Sequence, residues 1–295
     1  MADGTSSPTT AYRLLLTHRT SRRVTASISF HCFWFVTSPD HDSDPGHASS
    51  PPLLQRWLRP TQNVTLQFPA DLDPAGGKHG MSVADRRCTF TPCRGDSSQI
   101  DILTRNGRVT GLLGLPRPYQ TLTAEVLEVG GGFSAAALAA ASVCIAGGTG
   151  IAPFLTMGAS EAGTRAKGLC WSVRSDDFGA VEFALQEQLL RAEDWAGVSI
   201  FVTSGEDGVG VVAEKPAAWW ETTLTTLQEA HPARNLSFAR RRMAAADIAV
   251  DVGEDGQSGQ NKTILFCGSK SLEWQVRMWA MMAVGGATVH CTEMV

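Results

Sequence analysis

The stretch that decides the fold is Ala146-Gly147-Gly148-Thr149-Gly150-Ile151-Ala152-Pro153-Phe154. Just ahead of it, Val143-Cys144-Ile145 contains nothing polar, the composition of a strand buried on both faces. Just behind it, Leu155-Thr156-Met157 can begin a helix. Pro153 suits a first helical turn, where its missing N–H has no partner to lose. Glycines at 147, 148 and 150 remove side chains where the chain must turn sharply and admit something large. Strand, glycine turn and helix N-terminus together present free N–H donors and a partial positive charge, which suits a diphosphate. The spacing is Gly-x-Gly-x-x-Pro, not Gly-x-Gly-x-x-Gly. On spacing alone, a structural strand-to-helix turn accounts for it equally well.

Downstream of about Gly132 the chain alternates apolar strands with helix-length amphipathic stretches. Strands are expected at Val143–Ala146, Leu169–Val173, Val198–Thr203, Thr263–Cys267 and Ala287–Cys291. Helices are expected over Val181–Ala192, Ala217–Ala230 and Leu272–Met282. This repetition implies a doubly wound parallel sheet covered on both faces. Upstream, the strand signals are short and separated by turn clusters: Arg23–Val36, Asn63–Phe68, Ile100–Leu103 and Thr121–Val129. That pattern predicts a small antiparallel barrel. Ser38–Pro52 and Val250–Asn261 read as solvated loops.

Composition narrows the function classes. Of 295 residues, 43% are hydrophobic and 18% charged, enough apolar material for the cores of two globular domains. A net charge of -4 is too mild to imply nucleic acid or an anionic membrane as partner. The apolar run Phe133–Ala146 is too short to span a bilayer. Seven scattered cysteines and an N-terminus without an apolar core are expected for a cytoplasmic chain. Cys88 and Cys93 have no second pair beside them, so no metal site is expected.

The full glycine run resembles the pyridine-nucleotide motif of the ferredoxin–NADP reductase superfamily. In that superfamily a flavin-binding β-barrel precedes a nucleotide-binding α/β domain. The resemblance covers roughly residue 20 to the end. It implies a six-stranded flavin barrel over 20–132, an NAD(P)-binding domain over 133–295, and FAD and NAD(P)H as cofactors. Arg59-Pro60-Thr61-Gln62-Asn63-Val64 resembles the superfamily's Pro-Gly-Gln-x-Val segment, with Thr61 in place of the usual glycine.

Asp85-Arg86-Arg87-Cys88-Thr89-Phe90-Thr91-Pro92 stands where relatives carry Arg-x-Tyr-Ser or Arg-x-Phe-Thr. There the arginine meets flavin phosphate, the ring covers the isoalloxazine and the hydroxyl bonds near its reactive nitrogen, which suits a guanidinium fork and an aromatic face. Two registers are open. Phe90 and Thr91 match with Arg87 reaching across a bulge, which we favour, or Arg86 matches with Cys88 and Thr89 in the ring and hydroxyl places. An exposed basic pair beside an ordinary strand is the bland alternative. Asn106-Gly107-Arg108-Val109-Thr110 resembles the Gly-x-x-Ser/Thr segment that wraps the flavin diphosphate, and implies roles for Gly107, Arg108, Val109 and Thr110.

In the second half the resemblance implies nicotinamide-dinucleotide contacts from Gly147, Gly148, Thr149, Gly150, Ile151 and Pro153, from Ser172 and Arg174 after the second strand, and from Thr203 at the end of the third. An arginine at 174 suits a 2′-phosphate, so NADPH is slightly preferred, although Asp176 and Asp177 follow closely. Cys267-Gly268 resembles a Cys-Gly segment that places the nicotinamide. Glu293 matches a terminal acid, but no aromatic follows it. The implied catalytic set is Thr91, Cys267 and Glu293, and the electron acceptor is a redox protein or a small molecule. The competing expectation is a reductase-like chain whose altered flavin motifs no longer hold flavin, leaving a nucleotide-binding or scaffold domain.

Overall fold

A computed structural model describes residues 14–36, 60–73, 80–96, 98–116, 121–160, 167–204, 216–232, 235–248, 262–282 and 286–292. Glu293 and the loops expected over Ser38–Pro52 and Val250–Asn261 lie outside them.

The first half is an antiparallel sheet of β1 (Leu15–Arg23), β2 (Ile28–Val36), β3 (Asn63–Gln67), β4 (Arg87–Phe90), β5 (Pro92–Gly95), β6 (Gln99–Arg105) and β7 (Thr123–Gly130). Its order is β4-β3-β7-β1-β2-β6-β5. The two edge strands, β4 and β5, are separated only by Thr91. The sheet therefore returns on itself through that one residue, and β4 with β5 makes one course of a six-course barrel. The expected Arg23–Val36 strand is instead the second arm of a hairpin whose first arm, β1, carries His18, Thr20 and Ser21 among its apolar residues. Those polar residues hide the strand pattern. The barrel core is Leu16, Phe33, Leu66, Phe68 and Leu72 with Phe90 and Val109.

A short helix α1 (Arg108–Leu113) follows β6, and α2 (Ala135–Ala140) leads into the second sheet. That sheet contains β8 (Ala141–Gly147), β9 (Gly168–Arg174), β10 (Gly197–Thr203), β11 (Leu236–Ala239), β12 (Lys262–Cys267) and β13 (Ala287–Cys291) in the order β11-β10-β9-β8-β12-β13. Every pairing in it is parallel. The helices are α3 (Ala152–Ser160), α4 (Gly179–Gln186), α5 (Ala217–Ala230), α6 (Ala245–Ile248) and α7 (Lys270–Met282). Strand order reverses between β8 and its neighbours β9 and β12, the switch point where such sheets take ligands at their carboxyl edge.

The halves share a core. Ile28, Cys93 and Leu103 of the barrel pack with Phe154, Val181 and Phe183 of the parallel half. Phe30 and Phe183 set their ring centres 5.0 Å apart. Thr61 ties the halves as well: its amide donates to Thr156 Oγ1 at 3.1 Å, and its hydroxyl oxygen accepts from the Phe133 amide at 3.2 Å. It does so at φ 74, a conformation that favours glycine, which is the residue the resemblance places there.

Candidate functional site

A cleft of about 1140 Å³ runs between the two sheets. Its parallel wall is the carboxyl edge: Gly147–Gly150 after β8, Ser172–Asp176 at the end of β9, Thr203 and Ser204 after β10, and Cys267–Ser269 after β12. Its barrel wall is the β1–β2 turn at Val24–Ala26, Thr89–Thr91, and Ile102–Arg105 of β6.

The glycine run forms a tight 3₁₀ turn, Gly148–Ile151, continuing into α3, with Pro153 in the first helical turn. Its glycines serve different ends. A Cβ on Gly150 would strike the carbonyl of Cys267, with the carbonyl carbon only 2.7 Å away. One on Gly147 would lie 3.0 Å from Leu272 Cδ2 and 3.4 Å from the Gly268 Cα. Both glycines let β8 and β12 end side by side. Gly148 differs: it sits at φ +55, and a Cβ there would meet only Arg105 Nη2, at 3.6 Å, in the open cleft. Of the three, Gly148 is the one that faces open cleft space. The buried Trp171 indole donates to the Gly148 carbonyl at 2.9 Å and pins the turn from beneath.

Ser172, Arg174, Thr149, Thr203, Cys267 and Gly268 all reach this wall. Ile151 and Pro153 do not, since their side chains face the interior. Arg174 is half-exposed and held at 3.1 Å by Asp176 and 3.6 Å by Asp177. The Thr203 hydroxyl donates to the Val173 carbonyl at 3.3 Å. Burial pushes the Cys267 thiol above its ordinary range, with the Thr292 hydroxyl at 3.5 Å opposing that weakly. A raised thiol works against forming the thiolate that a nucleophilic role would need.

The barrel wall departs from the motif-based expectation. Phe90 is 8% exposed and belongs to the barrel core, its ring centre 6.4 Å from that of Phe68. The residue thus packs into the barrel core while also bordering the cleft. Cys88 also packs on the barrel core, so strand alternation turns Arg87 and Thr89 the other way. Phe90 and Thr91 border the cleft, where the favoured register puts them, whereas Arg87 is not among its lining residues. Thr91 lies in the wall and donates its hydroxyl to Asn63 Oδ1 at 2.6 Å, leaving lone pairs for the cleft.

Among the described residues, Arg87 and Gly107–Thr110 are not part of the cleft wall. The Thr110 hydroxyl accepts from the Gly107 amide at 2.6 Å and donates to the Arg105 carbonyl at 2.7 Å, so it caps its own helix. Val109 is buried in the barrel. Arg87 and Arg108 remain exposed with loose carboxylate neighbours, Glu128 at 3.9 Å and Asp85 at 3.8 Å.

No protein-family model matches the sequence, and no curated protein matches it. Solved structures do match in fold. Flavohemoglobin from Malassezia yamatoensis with bound FAD and heme aligns with a TM-score of 0.55 at 12% identity, over 95% of this chain and 60% of that one. The cytochrome b5 reductase domain of Ulva prolifera nitrate reductase gives 0.52 at 12%, over 95% and 97%. A ferredoxin NADP+ reductase from Neisseria gonorrhoeae with bound FAD and NADP gives 0.51 at 10%, over 95% and 99%. The fold is that of the ferredoxin–NADP reductase-type proteins. This chain spans less than two thirds of the flavohemoglobin chain it resembles.

Within this reductase-type fold, several cleft residues carried no motif. Arg105 ends β6, Glu182 comes from α4, Trp219 from α5 and Arg242 from the segment after β11. Burial raises the Glu182 carboxyl above its ordinary range. A second cavity of about 380 Å³ shares Thr203, Ser204 and Arg242 with the cleft and adds Arg240 and Arg241. The run Arg240-Arg241-Arg242 is visible in the sequence, but only the pairing of β11 with β10 brings it to the carboxyl edge of the sheet.

Proposed function

We propose that the protein is an NAD(P)H-dependent flavoprotein oxidoreductase, with the nicotinamide dinucleotide lying across the Gly147–Gly150 turn and a flavin held against the barrel wall. The observation that carries this reading is the facing of two sets across one cleft: Gly148 and Cys267–Gly268 on one side, Thr89–Thr91 on the other. The turn amides would grip the diphosphate, Cys267 and Gly268 would set the nicotinamide, and Arg174 and Arg242 would favour a 2′-phosphate, hence NADPH. Domains at 20–132 and 133–295 would supply the two walls.

The residues fit a flavin unevenly. Its ring end fits, since the barrel wall is a shelf of Thr89, Thr91 and the Ile102–Arg105 end of β6 beside the nicotinamide position. At the phosphate end the Thr110 hydroxyl is already engaged, so the exposed Arg87 and Arg108 would have to hold it. FAD rather than FMN is supported by the neighbours that carry it. Bound there, a flavin supplies hydride acceptance from the nicotinamide and onward electron transfer to a redox protein or small molecule. This chain's part is to hold two rings close and to exclude water. The fixed Thr91 lone pair offers an acceptor at the ring edge. Glu293, next to the Thr292 that touches Cys267, is the proposed proton partner.

A second reading is favoured by Phe90 and Thr110, whose ring and hydroxyl are used internally: a dinucleotide-binding protein without flavin. The visible spectrum of the purified protein separates the two. Flavin bands that bleach anaerobically on adding NADPH support the reductase. A colourless protein that takes up no FAD, yet binds NADPH, overturns it in favour of the second reading.

A further inference from the structure

Asp177 is 1% exposed and lies at the junction of the halves, just after the Arg174–Ser175 end of β9. One carboxylate oxygen accepts from Thr25 Oγ1 at 3.2 Å and from the Ser27 hydroxyl, both in the barrel's β1–β2 turn. The other accepts from Arg105 Nη2 of β6 at 2.6 Å and faces Arg174 Nε at 3.6 Å. A buried carboxylate is costly unless fully satisfied, and here most of its donors come from the opposite half of the molecule. Both arginines line the cleft. Among the described residues the Arg105 guanidinium has no other hydrogen-bond partner, and its Nη2 lies 3.6 Å from where a Gly148 Cβ would stand.

Resting on the dinucleotide reading of the glycine turn, the geometry points to Asp177 as a positioning residue that locks the barrel against the parallel half and fixes Arg105 over Gly148, so that Arg105 closes on the dinucleotide diphosphate from the barrel side. The turn amides grip the diphosphate from below, and Arg105 supplies the opposing positive charge. With one nitrogen tied to a buried carboxylate, the half-exposed guanidinium is held at the cleft wall before a ligand arrives. Neutralising Asp177 while keeping its shape would loosen the tether and let Arg105 drift.

Calorimetric titration with NADPH, and with 2′-phospho-AMP, which lacks the bridging diphosphate, tests this on the wild type, Asp177→Asn, Arg105→Met and the double variant. Arg105→Met is expected to weaken NADPH about tenfold and leave 2′-phospho-AMP unchanged. Asp177→Asn is expected to weaken NADPH by a similar factor, and the double variant by no more than about twofold beyond the worse single one, because Asp177 acts through Arg105. Equal loss of both ligands in Arg105→Met, unchanged NADPH binding in folded single variants, or fully additive losses overturns the proposal. Should Asp177→Asn fail to fold, Ser27→Ala removes one barrel donor and is expected to weaken NADPH two- to threefold; no change there counts against the proposal. A wild type that binds neither ligand would defeat the dinucleotide reading itself, a result distinct from any failure among the variants.

Discussion

Along the parallel wall of the cleft, positions are set by backbone contact: Gly150 lies against the Cys267 carbonyl, and Gly147 against Gly268. Along the barrel wall they are set by side-chain parity: Phe90 and Cys88 turn inward, and the chain crosses from β4 to β5 at Thr91. A backbone contact tolerates no register error, because an added methyl group collides. A parity-set surface can be inverted by a one-residue slip that exchanges every inward and outward side chain. The glycine run of the first wall is consequently read in one register, whereas the Asp85–Pro92 segment of the second admits two.

Phe90→Ala breaks the comparison most severely. If the ring is core, its loss costs about 3–5 kcal/mol of stability in denaturant unfolding. Flavin uptake by the protein that stays folded should then be little changed. A stable variant that loses flavin would place the ring in the site.

The barrel should also be the acid-sensitive half. Burial, with His18 nearby, lowers the His31 pKa from 6.5 to about 4. Its Nδ1 is 2.6 Å from the Ser21 hydroxyl, and its Nε2 has no partner among the described residues. The unfolded chain takes up this proton first as pH falls through 6.5, so stability is complete above that value, declines toward pH 4 and levels below it. The loss is roughly 3 kcal/mol. Urea titrations at stepped pH should show this slope, and His31→Gln should flatten it.

Within the parallel wall, the glycines should separate by kind of damage. Gly150→Ala meets backbone and should cost about 1–3 kcal/mol with a lowered melting temperature. Gly148→Ala bears only the left-handed penalty, about 1–2 kcal/mol, and should weaken NADPH binding disproportionately. Equal effects on binding and stability at both positions would erase the distinction between packing glycines and the ligand-facing one.

Much of the architecture was legible. The strands around 143–146, 169–173, 198–203, 263–267 and 287–291 were written as apolar runs, and each lies within or across a parallel strand. The expected helix over Ala217–Ala230 has those bounds in the structure. The first hairpin arm was hidden because β1 carries His18 and Ser21 into a buried polar network with His31. β11 was hidden because four residues show no period. Gly147–Gly150, Ser172, Arg174, Thr203 and Cys267–Gly268 could be read as one edge, since parallel strands end on the same side. Arg105 and Asp177 could not, being 72 residues apart and joined only where the halves meet.

By itself, the sequence determined a strand-rich half followed by a parallel α/β half, and a glycine turn at the sheet's switch point, because hydrophobic period and glycine placement act locally. Which way Phe90 faces, which glycine admits a ligand and which arginines meet across the cleft were decided only by tertiary structure. Those outcomes depend on the packing of residues distant in the chain, and no local pattern encodes that.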